Sequence, residues 1–339
     1  MIIFPILFSM SVASSGLAQP QATLNATGTG SSTPATFVSL IPNINDFGRM
    51  ADGGSDGNWY VGFNNAWIVQ LPPAPIGEYS RTFIGAKIGR AKARVKPGSR
   101  RWDREPIPGK VYIGISATPS FTAERSFFLA ETSDIPLDSD SRYYAAGAGH
   151  SEWFWAEVPP GMISFSGPNY LIIWSPTSYF VDSSSSPILA AFENSGGAAE
   201  EEAHAWNNRS IDGVAPRRRE GTLETPIRNL IPAMAIKLVP PNDSTVSVRD
   251  CAAKSVPGGV QFSFSTRGTD IDFAWLESSP DQLDWTRLSR YRRNPPYIIT
   301  VPREKIPARG TYVRAVARDN FANEGSCDGI YIPHDGPVQ

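Results

Sequence analysis

The chain has 339 residues, with 31 Lys and Arg against 33 Asp and Glu and a net charge of -2. That length allows two cores of ordinary size, and the charge balance excludes the global basic field that draws a protein non-specifically onto nucleic acid. With 29 Gly, 30 Pro, 11% aromatic and only 19% charged residues, the composition favours many short strands joined by turns, so an all-β protein is expected.

Met1 to Ala13 is an apolar run that opens without Lys or Arg, and Gly16-Leu17-Ala18 then places small residues where a signal peptidase cuts; a buried N-terminal strand is the alternative. A signal peptide over 1–18 is expected, and with it an exported chain, secreted or held at the cell envelope. The run is too short to span a bilayer and no other segment approaches about 20 uninterrupted apolar residues, so no membrane span is expected. Residues 19–36 are rich in Thr, Ser, Gly and Ala. They cannot offset the entropy of ordering and read as a flexible tether.

From Phe37 onward strand-like runs follow closely: Trp59–Phe63, Ala66–Leu71, Thr82–Val95, Lys110–Thr118, Ser126–Glu131, Glu152–Val158, Tyr170–Ser175, Ile188–Glu193 and Ile231–Val239. Each is bounded by Gly, Pro, Asn, Asp or Ser clusters. Val111, Ile113, Ile115 and Ala117 alternate with Tyr112, Gly114 and Ser116, as a half-buried strand requires. The spacing predicts a large jelly-roll-like β-sandwich over 37–240. The one helix-like piece, Ala198–Trp206, lies in a long loop that ends in Arg217-Arg218-Arg219.

Inside this region three features bear on ligands. Asp52-Gly-Gly-Ser-Asp56-Gly-Asn58 is a Gly-rich acidic loop in which Asp52, Asp56 and Asn58 could surround a hard cation such as calcium; an ordinary turn is the alternative. Seven of the nine Trp fall here, and flat amphipathic rings are platforms for sugar faces. Trp67 and Trp174 read as core, whereas Trp102 and Trp206, in polar loop-like surroundings, are candidates for exposed ligand contacts. Charge is segregated: Arg81 to Lys110 holds ten basic and two acidic residues, Glu124 to Glu202 twelve acidic and two basic. Lys87, Arg90, Lys92 and Arg94 are candidate ligand contacts, and the last three, at period 2, could form one basic stripe for a polyanionic polysaccharide or an acidic neighbour. The same segregation could drive head-to-tail contacts between copies, or be solvated strand faces.

Catalytic patterns are sparse. His150, His204 and His334 are isolated, with no second ligand at a zinc spacing. Gly149-His150-Ser151-Glu152-Trp153 approaches a nucleophile elbow but has Trp where the second Gly must stand. Glu152 and Glu157 are an odd number of residues apart, which sends them to opposite strand faces and suggests solvated charges at strand ends. The expectation is a protein that is not an enzyme.

Pro240-Pro241-Asn242-Asp243 marks a boundary. Beyond it, Gly259–Thr266, Ile271–Glu277, Asp284–Ser289, Pro296–Val301, Thr311–Asp319 and Gly329–Ile332 predict a small immunoglobulin-like sandwich over 241–339. Cys251 and Cys327 are the only cysteines, and in an exported chain an even count predicts one disulfide tying the first strand of this unit to its last.

Tyr312-Val-Arg314-Ala315-Val-Ala317-Arg-Asp319-Asn320-Phe-Ala322-Asn323 resembles the penultimate strand and turn of bacterial immunoglobulin-like and fibronectin type III modules, where Tyr-x-Arg-x-x-Ala-x-Asp-x-x-Gly-Asn recurs; Ala322 stands at the Gly position. That resemblance implies spacing, adhesion or docking. Ile231–Val239 and Asn169–Ser175 are similar to galactose-binding-like jelly rolls of carbohydrate-binding modules, which implies glycan recognition and a structural calcium.

The expected function is a secreted or cell-surface binding or adhesion protein that recognises a glycan or another envelope component, with no organic cofactor and no nucleic acid partner. The alternative is a structural subunit that self-assembles into an extracellular filament or sheath, the segment Gln19 to Pro34 docking on a neighbouring sheet edge. A glycan-active hydrolase is the third reading.

Overall fold

A computed structural model describes residues 35–50, 60–101, 104–121, 123–137, 151–193, 203–213, 223–241, 245–268 and 270–334. In chain order the first strands are β1 (Thr36–Val38), β2 (Arg49–Met50), β3 (Ala66–Leu71), β4 (Arg81–Gly89), β5 (Ala93–Val95), β6 (Arg104–Pro106), β7 (Lys110–Ser116) and β8 (Ser126–Glu131). Then come β9 (Ser151–Val158), β10 (Asn169–Trp174), β11 (Ile188–Glu193), β12 (Ala205–Asn208), β13 (Thr225–Ile227), β14 (Leu230–Pro232) and β15 (Met234–Val239). After Pro240-Pro241 follow β16 (Ser247–Val256), β17 (Gly259–Arg267), β18 (Ile271–Ser279), β19 (Thr286–Arg287), β20 (Tyr297–Pro302), β21 (Thr311–Asp319), β22 (Glu324–Ser326) and β23 (Ile330–Ile332).

The protein is all-β and sandwich-like, with antiparallel pairing throughout its sheets. A seven-stranded sheet runs β1-β15-β4-β11-β14, with β2 on β11 and β9 on β4; it packs on a six-stranded sheet of order β13-β12-β3-β10-β7-β8. The pair β5-β6 stands apart from both. The later strands form β16-β17-β20 against β19-β18-β21-β22, with β23 on β21, and no sheet mixes strands from the two sides of the double proline.

Three predicted elements differ. The run Thr82–Val95 is two strands, because Arg90 adopts φ 53 and breaks the ladder between β4 and β5. Of Trp59–Phe63, Tyr60 makes only an isolated bridge to Ile188. The helix-like piece ends in strand: Ala205 and Trp206 belong to β12, where Trp206 pairs with Ile68 and Pro226; residues 198–202 lie outside the described residues. Cross-strand pairing on both sides outweighs the local helical preference of Ala and Glu.

The seven-stranded sheet is buried on both faces. Phe83 and Ile84, neighbours in β4 that point to opposite faces, are both fully buried, and all six residues of β15 are buried. One face meets the six-stranded sheet. The other meets the smaller sandwich, whose Phe273, Trp275, Val316, Phe321 and Ala322 join the same apolar cluster as Phe83 and Trp155. Trp155 lies flat over Gly85, where a Cβ would come within 2.3 Å of the indole, and stacks on Trp153 with ring centroids 5.0 Å apart. The two sandwiches therefore share a core across a seam.

Ion pairs rim that seam. Arg293 holds Glu152 at 2.9 Å and Asp272 at 2.8 Å, Arg287 holds Asp134 at 2.7 Å, and Arg81 donates Nε to Glu157 at 2.8 Å and a second nitrogen to the Ala322 carbonyl. Glu152 and Glu157 are thus not solvated charges at strand ends. Each is partly buried against an arginine that reaches to, or from, the smaller sandwich.

Lys237 of β15 is buried in the seam, its Nζ donating to the Asn320 carbonyl at 2.7 Å and lying 5.8 Å from the Phe37 ring centre. Burial lowers its ammonium to about 7, against the opposing pull of Asp272 and Asp319. In the unfolded chain Lys237 keeps its proton to about 10.5, so between about pH 7 and 10 the unfolded state binds more protons and stability should rise with pH. Above about 10 the raised Tyr291 phenol, buried beside Arg287, reverses the slope. Urea unfolding across this range should show the rise, and Lys237→Met should remove it; an unchanged slope in the variant would assign the effect elsewhere.

In the smaller sandwich Cys251 of β16 and Cys327 form a disulfide with Cα atoms 6.6 Å apart. It ties the first strand to the segment after β22 and not to the last strand, β23. Restricting a loop of 76 residues contributes roughly 4 kcal/mol through the unfolded chain. At the end of β21, Asp319 accepts backbone N–H bonds from Phe321 and Asn323, each at 2.8 Å, and Ala322 takes φ 68, a conformation that glycine adopts without strain.

Candidate functional site

Trp102 and the acidic loop with Asp52, Asp56 and Asn58 lie outside the described residues. Trp206 is half-buried in β12, packed on the cluster of Ala66, Ile68, Phe121, Ile172, Trp174 and Ile211. The four basic candidates divide into two groups. Lys87 lies in β4 with Nζ donating to the Phe47 carbonyl, and burial pushes its ammonium down; Arg90 occupies the break. Lys92 and Arg94 lie beyond that break, at the start of the β5–β6 hairpin.

The hairpin is short and well made. Arg94 pairs with Glu105 in register and bonds it at 3.0 Å, and Arg104 donates to the Ala93 carbonyl at 2.5 Å. Lys96-Pro97-Gly98-Ser99 is a turn closed by Ser99 N–H to the Lys96 carbonyl at 3.0 Å, with Gly98 at φ 75 as a type II turn requires. Nothing lies within 4 Å of where a Gly98 Cβ would sit, so this end of the hairpin stands in solvent. Arg94, Lys96, Arg100, Arg101 and Arg104 are exposed and Lys92 half-exposed, six cations within thirteen residues. The segment also contains Asp103, which lies outside the described residues, and Glu105 follows it and pairs with Arg94.

At the foot of the hairpin is an open cleft of 510 Å³, lined by Pro108 to Lys110, Glu131 to Ser133 and Pro176 to Tyr179. Its walls are tied to the hairpin base: Ile107 N–H donates to the Lys92 carbonyl at 2.8 Å, and the Thr132 hydroxyl donates to the Ile107 carbonyl at 2.6 Å. Gly109 is required here, since a Cβ would meet the buried Phe180 ring at 2.2 Å. Lys110 and Glu131 are register partners at the ends of β7 and β8, and Tyr179, which also lines the cleft, exposes 49% of its surface. Among the described residues, the Glu131 carboxylate, the Ser178 hydroxyl and the Tyr179 phenol have no hydrogen-bond partner.

Among the aromatic residues, sequence reasoning weighed only tryptophans as ligand contacts and so passed over Tyr179. The available signal was Pro176-Thr-Ser-Tyr179, an aromatic in a polar loop after a strongly apolar strand. Among the described residues no group of three or more His, Cys, Asp or Glu could hold a metal, and no helix is long and apolar enough to cross a membrane.

No family model and no curated protein matches the chain. Among solved structures it aligns with Ruminococcus gnavus β-glucuronidase in complex with uronic isofagomine, at 8% identity over 92% of this chain and 46% of that one, with a TM-score of 0.24. The apo form of the same enzyme aligns at 8% identity over 92% and 47%, TM-score 0.26, and the glycoside hydrolase domain of Endo-D from Streptococcus pneumoniae R6 at 10% over 80% and 32%, TM-score 0.25. The chain thus spans half or less of the length of the structures it matches. These structures are glycoside hydrolases, which runs against the expectation of a protein that is not an enzyme; at TM-scores this low they assign neither an activity nor a substrate to this chain.

Proposed function

We propose that the chain is an exported recognition protein of the cell exterior that binds an acidic glycan through the β5–β6 hairpin. One observation carries this reading: six basic residues against two acidic ones, Asp103 and Glu105, crowd residues 92–105 around a solvent-exposed hairpin on a chain whose net charge is -2. A local cationic projection on an otherwise balanced surface attracts a polyanion without holding nucleic acid everywhere. The larger sandwich is read as jelly-roll-like. The smaller is read as immunoglobulin-like, supported by the split of its strands into β16-β17-β20 and β19-β18-β21-β22. The smaller unit then serves as a buttress for the seven-stranded sheet.

Recognition is favoured over electrostatic self-assembly because Asp134, Glu152 and Glu157, all in the acidic segment, are paired with arginines of their own chain. Less acidic surface is left for a second copy.

Affinity electrophoresis of the full chain in gels containing polygalacturonate, dextran or double-stranded DNA tests the reading. Retardation is expected in polygalacturonate and not in dextran, and Lys96→Glu with Arg101→Glu should weaken it about tenfold. Chromatography of the polysaccharide after incubation reads any cleavage. Equal retardation by DNA would replace the glycan with a general polyanion, and no retardation in either acidic gel would remove the reading.

A further inference from the structure

We propose that the cleft at the foot of the hairpin is a subsite for one uronate residue of the acidic glycan that the hairpin holds, an inference that rests on the reading above. The cleft adjoins the base of the hairpin, to which Ile107 and Thr132 tie its wall by hydrogen bonds, so a glycan held by the hairpin is within reach of it. Its 510 Å³ falls in the range of small-ligand clefts.

The groups inside are those a charged sugar needs. Lys110 lines the cleft with its ammonium 6.0 Å from the Phe128 ring centre, and a side-chain rotation would bring that charge to the sugar carboxylate. Glu131, at the same register position, forms no ion pair with it among the described residues, and its free carboxylate can accept from ring hydroxyls. Tyr179 offers an exposed ring for the apolar face of a pyranose, and its phenol and the Ser178 hydroxyl can bond equatorial hydroxyls. The Thr177 oxygen accepts the Lys110 backbone N–H at 3.0 Å, which fixes that wall.

Glu131 also decides between polyanions. A densely charged phosphate chain would meet its carboxylate with repulsion, whereas a polyuronate brings hydroxyl donors between well-spaced charges. The site is therefore selective for carboxylated sugars where the hairpin alone is not.

Calorimetry of the full chain with trigalacturonate and with its methyl ester separates the possibilities. The acid is expected to bind about tenfold more tightly than the ester, and Tyr179→Ala and Lys110→Met should each cost the acid about tenfold without lowering the melting temperature. Glu131→Gln should weaken trigalacturonate and strengthen retention on polyphosphate. Trigalacturonate bound equally by wild type and both cleft variants would overturn the subsite and leave the hairpin reading intact, provided the polymer is still retained. No binding of polymer or trimer to wild type would overturn both.

Discussion

Arg293→Met is expected to destabilise the protein by about 3–5 kcal/mol, because it removes the arginine that bonds two carboxylates the fold has largely withdrawn from water. The side chain of Asp272 is 3% exposed and that of Glu152 19%, and Arg293 bonds one through each terminal nitrogen. These carboxylates lie on opposite sides of the seam, so the loss falls on the attachment of one sandwich to the other as well as on each. Arg293→Lys should recover only part, since an ammonium is a point charge and cannot span two acids as a planar fork does. Adding Asp272→Asn to Arg293→Met should lessen the penalty, because it removes a buried charge that has lost its arginine. Denaturant melts would read all three, and a loss below about 1 kcal/mol for the single variant would mean that water reaches the pair.

Trp155→Ala should cost a similar amount, about 3–5 kcal/mol, for a different reason. The indole is fully buried against Gly85, Phe37 and Trp153, within the apolar cluster that the smaller sandwich joins, so truncation opens a void that the packed sheets cannot close. The wild type should unfold in one transition. The variant should unfold in two, as the seam gives way before either core. Two transitions in the wild type would show that the shared cluster does not couple the sandwiches.

That seam was partly legible. Strands buried on both faces lose the alternation of a half-exposed strand, and Phe83-Ile84, Trp153-Phe154-Trp155 and Met234-Ala-Ile236 are apolar at both parities. Read one strand at a time they suggested only a large core. Lys237 in the middle of such a run was the stronger hint, because a lysine there must find a partner or shed its proton. The partner is a carbonyl 83 residues further on, and no local pattern reveals it.

The all-β class and the Cys251–Cys327 disulfide could be read from composition and cysteine count. The basic stripe could not be placed: period 2 puts Arg90, Lys92 and Arg94 on one face only if the strand is continuous, and a single left-handed residue at Arg90 breaks it. The cleft depends on three segments, around Lys110, Glu131 and Tyr179, that only the sheet register brings together. Turn propensity pointed to each loop and said nothing of their meeting.

The reading of the hairpin as an acidic-glycan contact is tested most directly by the salt dependence of polygalacturonate binding, measured for wild type and for Lys96→Glu with Arg101→Glu. If the cations hold the polymer, neutralisation releases counterions, and affinity should fall about tenfold or more between 50 and 200 mM salt, linearly in logarithmic form, with a shallower slope in the variant. Affinity that ignores both salt and charge reversal, or that is absent at 50 mM, would contradict it.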